Sequence, residues 1–161
     1  MSGTSLDGID VAIIDITGSG FKAKINVLTS HSVPYPKSVR EALLAMSNAS
    51  TITGDISRLN FLLGELYAEA LEEAAERGQI PLNTIKLIGC HGQTIYHEGS
   101  GDLPNTLQIG EAAIIAERVG APRSCGTTGT GPSTSYPLRS QAMYLESSAT
   151  PTAGWIRSCS S

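Results

Sequence analysis

Apolar residues recur along this chain at two different spacings, and the spacing changes after Pro36. Ahead of that point the period is two. Ile9, Val11 and Ile13 alternate, Ile14 and Ile16 extend the series, and this β-branched run predicts a strand. Gly18-Ser19-Gly20 is a turn signal, and Phe21 to Ser32 alternates again with Phe21, Ala23, Ile25 and Val27 on one side, so a hairpin with the first strand is expected. Pro34-Tyr35-Pro36 ends it. Val39, Leu43 and Met46 then fall at helical spacing, predicting a helix over Lys37 to Ser47 that Asn48-Ala49-Ser50 breaks. A longer stripe follows: Ile56, Leu59, Leu63, Leu66, Tyr67, Ala70 and Ala74 on one face, with Arg58, Glu65, Glu69, Glu72, Glu73 and Glu76 mainly on the other. Thr53 reads as its N-cap, Gly78 as its C′ residue, and Pro81 as its stop. The acidic face reads as solvated surface, with a binding role as the alternative.

Leu82-Asn83-Thr84 leads into Ile85 to Cys90, a short apolar run expected to be a strand. Strand, helix, strand is the signature of a parallel pairing, which with the early hairpin predicts an α/β fold on a mixed sheet. Gly99 to Asn105 is a loop by composition, Thr106 to Gly110 a short strand, and Glu111 to Val119 a helix closed by Gly120. From Ala121 the character changes. Ser, Thr, Gly and Pro make up more than half of residues 121–161, Asp and Lys are absent, and no period survives. A stretch of that kind buries too little apolar surface to offset its ordering entropy, so the expected division is a lobe over 1–120 and a low-complexity, disordered tail over 121–161.

Composition narrows the chemistry. A chain of 161 residues has room for one domain with a core, and a net charge of −4 without a basic cluster argues against nucleic acid or an anionic membrane and for small-molecule partners. No run approaches the roughly 18 apolar residues of a membrane span, and no charged-then-apolar leader is seen, so a cytoplasmic protein is expected. Cys90, Cys125 and Cys159 are odd in number and scattered, which disfavours a disulfide framework, and no Cys or His spacing suits a structural metal.

Two stretches concentrate polar chemistry. Gly3, Thr4, Ser5, Leu6, Asp7, Gly8, Ile9 and Asp10 place two glycines, two hydroxyls and two carboxylates just ahead of an apolar strand. Glycines allow backbone N–H groups to face anionic oxygens, and the hydroxyls add donors. Asp7 and Asp10 would repel bare phosphate, so a phosphate-binding reading implies Mg²⁺ bound alongside. An Asp-Gly turn between strands explains the same residues. A Walker-type loop is excluded, since no Gly-Lys-Ser/Thr opens a helix here. The second stretch is Cys90-His91-Gly92-Gln93-Thr94, a turn just past the expected strand's carboxyl end, where open α/β sheets place ligands. His91, Gln93 and Thr94 supply donors and acceptors, while Gly92 lets the backbone approach; a turn with a locally satisfied histidine is the alternative. Gln108 reads equally as a sugar contact or a buried strand-end amide, and Gly110 stands at a helix entrance whose free N–H groups suit polar ligands.

The opening run Met-Ser-Gly-Thr-Ser-Leu-Asp-Gly-Ile-Asp closely resembles the amino-terminal loop of the anhydro-N-acetylmuramic acid kinases, members of the sugar-kinase, actin and Hsp70 superfamily. His-Gly-Gln-Thr at 91–94 and Leu-Gln-Ile-Gly at 107–110 resemble the same family at the expected places, and His97 and Glu98 resemble residues that follow in relatives. The resemblance implies the amino-terminal lobe of an actin-like, ribonuclease H-like ATPase fold. It implies ATP on Gly3 to Asp10, with Mg²⁺, and an amino sugar on His91, Gly92, Gln93, Thr94, Gln108 and Gly110. It also implies transfer of phosphate to the 6-oxygen of 1,6-anhydro-N-acetylmuramic acid with ring opening by water, in cell-wall recycling, and is compatible with a homodimer.

The resemblance covers roughly 1–120. Relatives carry a strand before the opening loop, a Val-Val-x-Asp-Phe/Tyr-Arg strand after residue 120, and later an Asp-x-Gly-Pro-Gly-Asn motif with the general base and a second glycine-rich loop. None stands in this chain, so a fragment is expected, inactive alone. The codons of Ser124 to Gly129, read one base earlier, permit Val-Val-Arg-Asp-Tyr-Arg, so the tail is expected to be an out-of-frame translation. Sequencing the coding DNA tests this, and a downstream frame lacking the Asp-Tyr-Arg strand refutes it.

Overall fold

The computed structural model describes residues 6–100, 102–120 and 145–146. Strand β1 (Gly8–Thr17) and strand β2 (Lys24–Pro34) form the expected antiparallel hairpin, joined through a 3-10 turn at Gly20–Lys22. The register shifts between Ile13 and Ile14, which pair with Thr29 and Val27, so Leu28 is the extra residue of a bulge. That slip decides which face of β2 is covered. Thr29, His31 and Val33 are half-buried, whereas Phe21, Ile25 and Val27, the expected apolar side, are exposed. One extra residue reverses the alternation, because side chains in a strand change faces at every step.

Helix α1 (Lys37–Met46) and helix α2 (Thr53–Arg77) follow. The stripe on α2 is buried as its period requires: Leu63, Ala68, Ala70, Leu71 and Ala74 have no exposed surface and Tyr67 has 1%, packed in one cluster with Ile9, Val11 and Ile13 of β1 and Val39 and Leu43 of α1. Its ends differ from expectation. Thr53 lies inside the helix and Ile52 is the N-cap, with no side-chain cap. At the other end Gly78 is right-handed and Gln79 takes the left-handed conformation (φ 53), with Gln79 N–H donating to Glu76 O and Ile80 N–H to Ala75 O at 2.8 Å. This is a Schellman closure displaced by one residue. Glycine is needed at 78 for room instead: a Cβ there would stand 2.8 Å from Thr29 Cγ2 of β2.

The acidic face of α2 is not simply solvated. Helix α3 (Ala112–Val119) is held against it by Arg118, whose guanidinium meets Glu72 in a two-pronged pair (3.1 and 2.6 Å) and Glu65 at 3.0 Å. Those hydrogen bonds and charges raise the Arg118 pKa further. Glu73 takes His31 of β2 at 3.0 Å.

The expected strand over Ile85 to Cys90 is absent. Ile85 and Ile88 are buried, yet the run belongs to no ladder, and Leu82–Thr84 before it is a 3-10 turn. An apolar run buries side chains with or without neighbours, but a strand needs backbone partners. The strand forms later, where a turn was expected. Strand β3 (Gln93–Glu98) pairs antiparallel with strand β4 (Asn105–Ile109) in a separate two-stranded sheet. The parallel pair among the described residues joins β1 to β5 (Leu145–Glu146), two residues of the stretch expected to lack any strand. The remainder of the expected disordered or out-of-frame tail lies outside the described residues. No helix among the described residues is long and apolar enough to cross a membrane.

Candidate functional site

The site is built around the start of the β3–β4 hairpin. Gly92 has φ 74, and a Cβ on it would come within 2.7 Å of Ile109 O, so only glycine lets the two backbones meet there. That approach brings His91 to Gln108, whose side-chain nitrogen lies 2.9 Å from His91 Nε2. The other ring nitrogen, Nδ1, lies 3.2 Å from the Gly92 carbonyl oxygen. In the ladder Gln93 stands opposite Ile109 and Thr94 opposite Gln108. His91, Gly92, Gln93, Thr94, Gln108 and Gly110 are therefore brought together, from two stretches of sequence.

They do not share one environment. His91, Thr94 and Gln108 are half-buried, but Gln93 is 1% exposed and bonded inward. Tyr35 O–H donates to Gln93 Oε1 at 3.4 Å, and the Tyr67 hydroxyl lies 3.3 Å from the Tyr35 hydroxyl. Because the Tyr35 proton is committed to Gln93, Tyr67 is the donor to Tyr35, and Gln93 Nε2 completes the chain by donating to Thr94 O at 3.3 Å. Burial pushes both phenol pKa values up, the charges of Tyr35 and Cys90 adding at Tyr67. Burial likewise raises the Cys90 thiol, partly offset by a Gly92 backbone hydrogen bond.

Tyr35 also ties this cluster to the opening stretch, since its N–H donates to Asp7 O at 3.3 Å. Gly3, Thr4 and Ser5 lie outside the described residues. Of the rest, Leu6 and Ile9 are core, and Gly8 is required by packing, because a Cβ would collide with Val33 O. Asp7 and Asp10 are exposed, and Asp10 Oδ1 accepts from Ser32 Oγ at 2.6 Å while Oδ2 makes no described bond. That donor set, with open carboxylate oxygens, suits Mg²⁺, which is ordinarily held by one or two carboxylates with phosphate oxygens and water. Among the described residues no group of three or more His, Cys, Asp and Glu is placed to hold an ion by itself.

The helix entrance differs from its sequence reading. Gly110 N–H is not free but donates to Asn60 Oδ1 of α2 at 2.7 Å, Asn60 O accepts from Glu111 N–H at 3.0 Å, and Asn60 Nδ2 donates to Glu111 Oε2 at 3.2 Å. Glu111 in turn caps α3 by accepting from Ala113 N–H. Asn60, Tyr35 and Tyr67 carry the geometry of the site, and none was singled out for it by sequence. The one available sign was a polar Asn beside the apolar stripe of α2. Asn60→Ala is expected to cost about 1–3 kcal/mol, because it strands the Gly110 N–H in a half-buried position. A lower urea midpoint and faster exchange of the Gly110 amide would be measured; unchanged exchange would contradict the role.

Comparison with known proteins gives one family. A family model described as anhydro-N-acetylmuramic acid kinase matches residues 1–124. The anhydro-N-acetylmuramic acid kinase of Bacillus cereus (strain B4264) is 45% identical over 120 residues, covering 72% of this chain and 31% of its own length. Proteins of the same name from Bacillus cereus (strain AH820) and Bacillus anthracis (strain CDC 684 / NRRL 3495) are 44% identical over the same extent. The chain thus spans about a third of the length of the curated relatives it matches.

Proposed function

The chain belongs to the anhydro-N-acetylmuramic acid kinase family, and on that premise we propose that it is the nucleotide- and sugar-contacting part of an enzyme that phosphorylates 1,6-anhydro-N-acetylmuramic acid from ATP. In that reaction water adds to the anomeric carbon and the bond from that carbon to the 6-oxygen breaks. The freed oxygen takes the γ-phosphoryl group, and ADP leaves. What supports the reading is the family-model match over residues 1–124, within which the Gly3 to Asp10, His91 to Thr94 and Gln108 to Gly110 stretches all fall, together with the 45% identity to a relative over 120 residues.

In this reading the backbone of Gly3 to Gly8 and the hydroxyls of Thr4 and Ser5 cradle the terminal phosphates. Asp7 and Asp10 would hold Mg²⁺, which when bound offsets phosphate charge. Thr94 and Gln108 present polar groups to the sugar, His91 stands behind Gln108 with its ring bonded to the Gln108 amide, Gly92 and Gly110 shape the backbone beneath them, and Gln93 supports the turn from inside. Phosphoryl transfer is catalysed mainly by positioning and by charge stabilisation around the nucleotide. With the second glycine-rich loop and the Asp-x-Gly-Pro-Gly-Asn base missing from these 161 residues, the chain alone binds without turnover. The expected results are a rise in melting temperature with Mg-ATP and with the anhydro sugar, and no sugar-dependent ADP release in a coupled assay. Turnover by the 161 residues would refute the division of labour, and indifference to both ligands would refute the site assignment.

A further inference from the structure

The contacts of His91 determine more than its position. A carbonyl oxygen only accepts, so the 3.2 Å approach of Nδ1 to Gly92 O requires the ring proton to sit on Nδ1. No described ion pair involves His91, and in the neutral ring Nε2 is then an acceptor. Its neighbour at 2.9 Å on Gln108 must therefore be the amide NH₂, and the carbonyl oxygen Oε1 is turned away from the ring. That oxygen has no hydrogen-bond partner among the described residues, and Gln108 is half-buried. The left-handed Gly92, held beneath Ile109 O, keeps the carbonyl that sets this sequence of bonds in place.

We propose that His91 is a positioning residue that locks the Gln108 amide with its oxygen outward, so that the ligand group received there is a hydrogen-bond donor, a sugar hydroxyl or an acetamido N–H. A carboxylate or phosphate oxygen at that point would meet a lone pair. The inference rests on the kinase-family reading only for the choice of sugar; the polarity of the contact follows from the ring and the amide.

The test uses the 161-residue chain labelled with nitrogen-15 and carbon-13, at a pH where the imidazole spectrum shows the neutral ring. The expected imidazole spectrum has Nδ1 protonated and Nε2 as the bare nitrogen; the opposite tautomer overturns the proposal and leaves the kinase reading untouched. Titration with 1,6-anhydro-N-acetylmuramic acid should shift the Gln108 side-chain carbonyl carbon, and one deoxy analogue should bind about tenfold more weakly, the loss of one hydrogen bond. In His91→Ala that preference should fall toward one while the urea midpoint is retained, which a purely structural role would not produce. Equal binding of every deoxy analogue overturns the donor assignment. The expected tautomer with no response to the sugar overturns the kinase reading of the site instead, and leaves the amide orientation standing.

Discussion

Gly110→Ala is expected to lower the stability of the fold by about 2–5 kcal/mol, read as a fall in the urea midpoint, and to remove the response to the anhydro sugar with it. Two effects add. Gly110 has φ 129, a conformation that L side chains rarely adopt, and a Cβ there would stand 2.5 Å from Tyr67 Cε2. Tyr67 cannot yield, being 1% exposed in the centre of the core with its hydroxyl bonded to Tyr35. Gly120→Ala is the control, since Gly120 is also left-handed (φ 67) but nothing among the described residues lies within 4 Å of its Cβ position. That variant should lose only the strain, about 1–2 kcal/mol. Equal losses would show that the Tyr67 contact is not the cause.

Alkaline pH is expected to unfold the protein earlier than surface charge alone would. Burial raises Tyr67, Tyr35 and Cys90 above their ordinary values of 10.0, 10.0 and 9.0. In the unfolded chain these groups release protons above those values, whereas the folded chain retains them, so folding binds protons. Their contribution is fully present below pH 9 and is lost as pH rises beyond 9 to 10, at up to about 1.4 kcal/mol per pH unit for each group that stays protonated. Urea titrations between about pH 8 and 11 measure the slope, and Tyr67→Phe should make it shallower by one group. A flat profile to pH 11, or an unchanged slope in Tyr67→Phe, would show that these phenols are not held neutral by the core.

Legibility along the chain followed the kind of interaction involved. The α2 stripe from Leu59 to Ala74 was readable because a long helix satisfies its own backbone, so the side-chain period alone reports its buried face. The β1–β2 hairpin was readable as a pairing but not in its register, since the bulge opposite Ile13 and Ile14 has no mark in composition. Ile85 to Cys90 misled for the converse reason: its apolar character predicted burial correctly and a ladder wrongly. At the site, the polar and glycine residues of 91–94 and 107–110 stood out against apolar neighbours. Which of them face inward did not, because Gln93 and Thr94 are adjacent and alike in chemistry, and only the strand's alternation separates buried from half-buried.

By itself the sequence determined the family, the α2 core stripe and the residue types gathered at the site, because these depend on identity and on the period of a single element. Only the tertiary structure decided that Asn60 takes the Gly110 N–H, that Arg118 draws α3 onto the acidic face of α2, that Tyr35 links Asp7 to Gln93, and that the Gln108 amide nitrogen meets His91. Each of these joins groups separated by at least 17 residues. A local pattern records what a residue can bond to; which partner reaches it is set by how the elements pack.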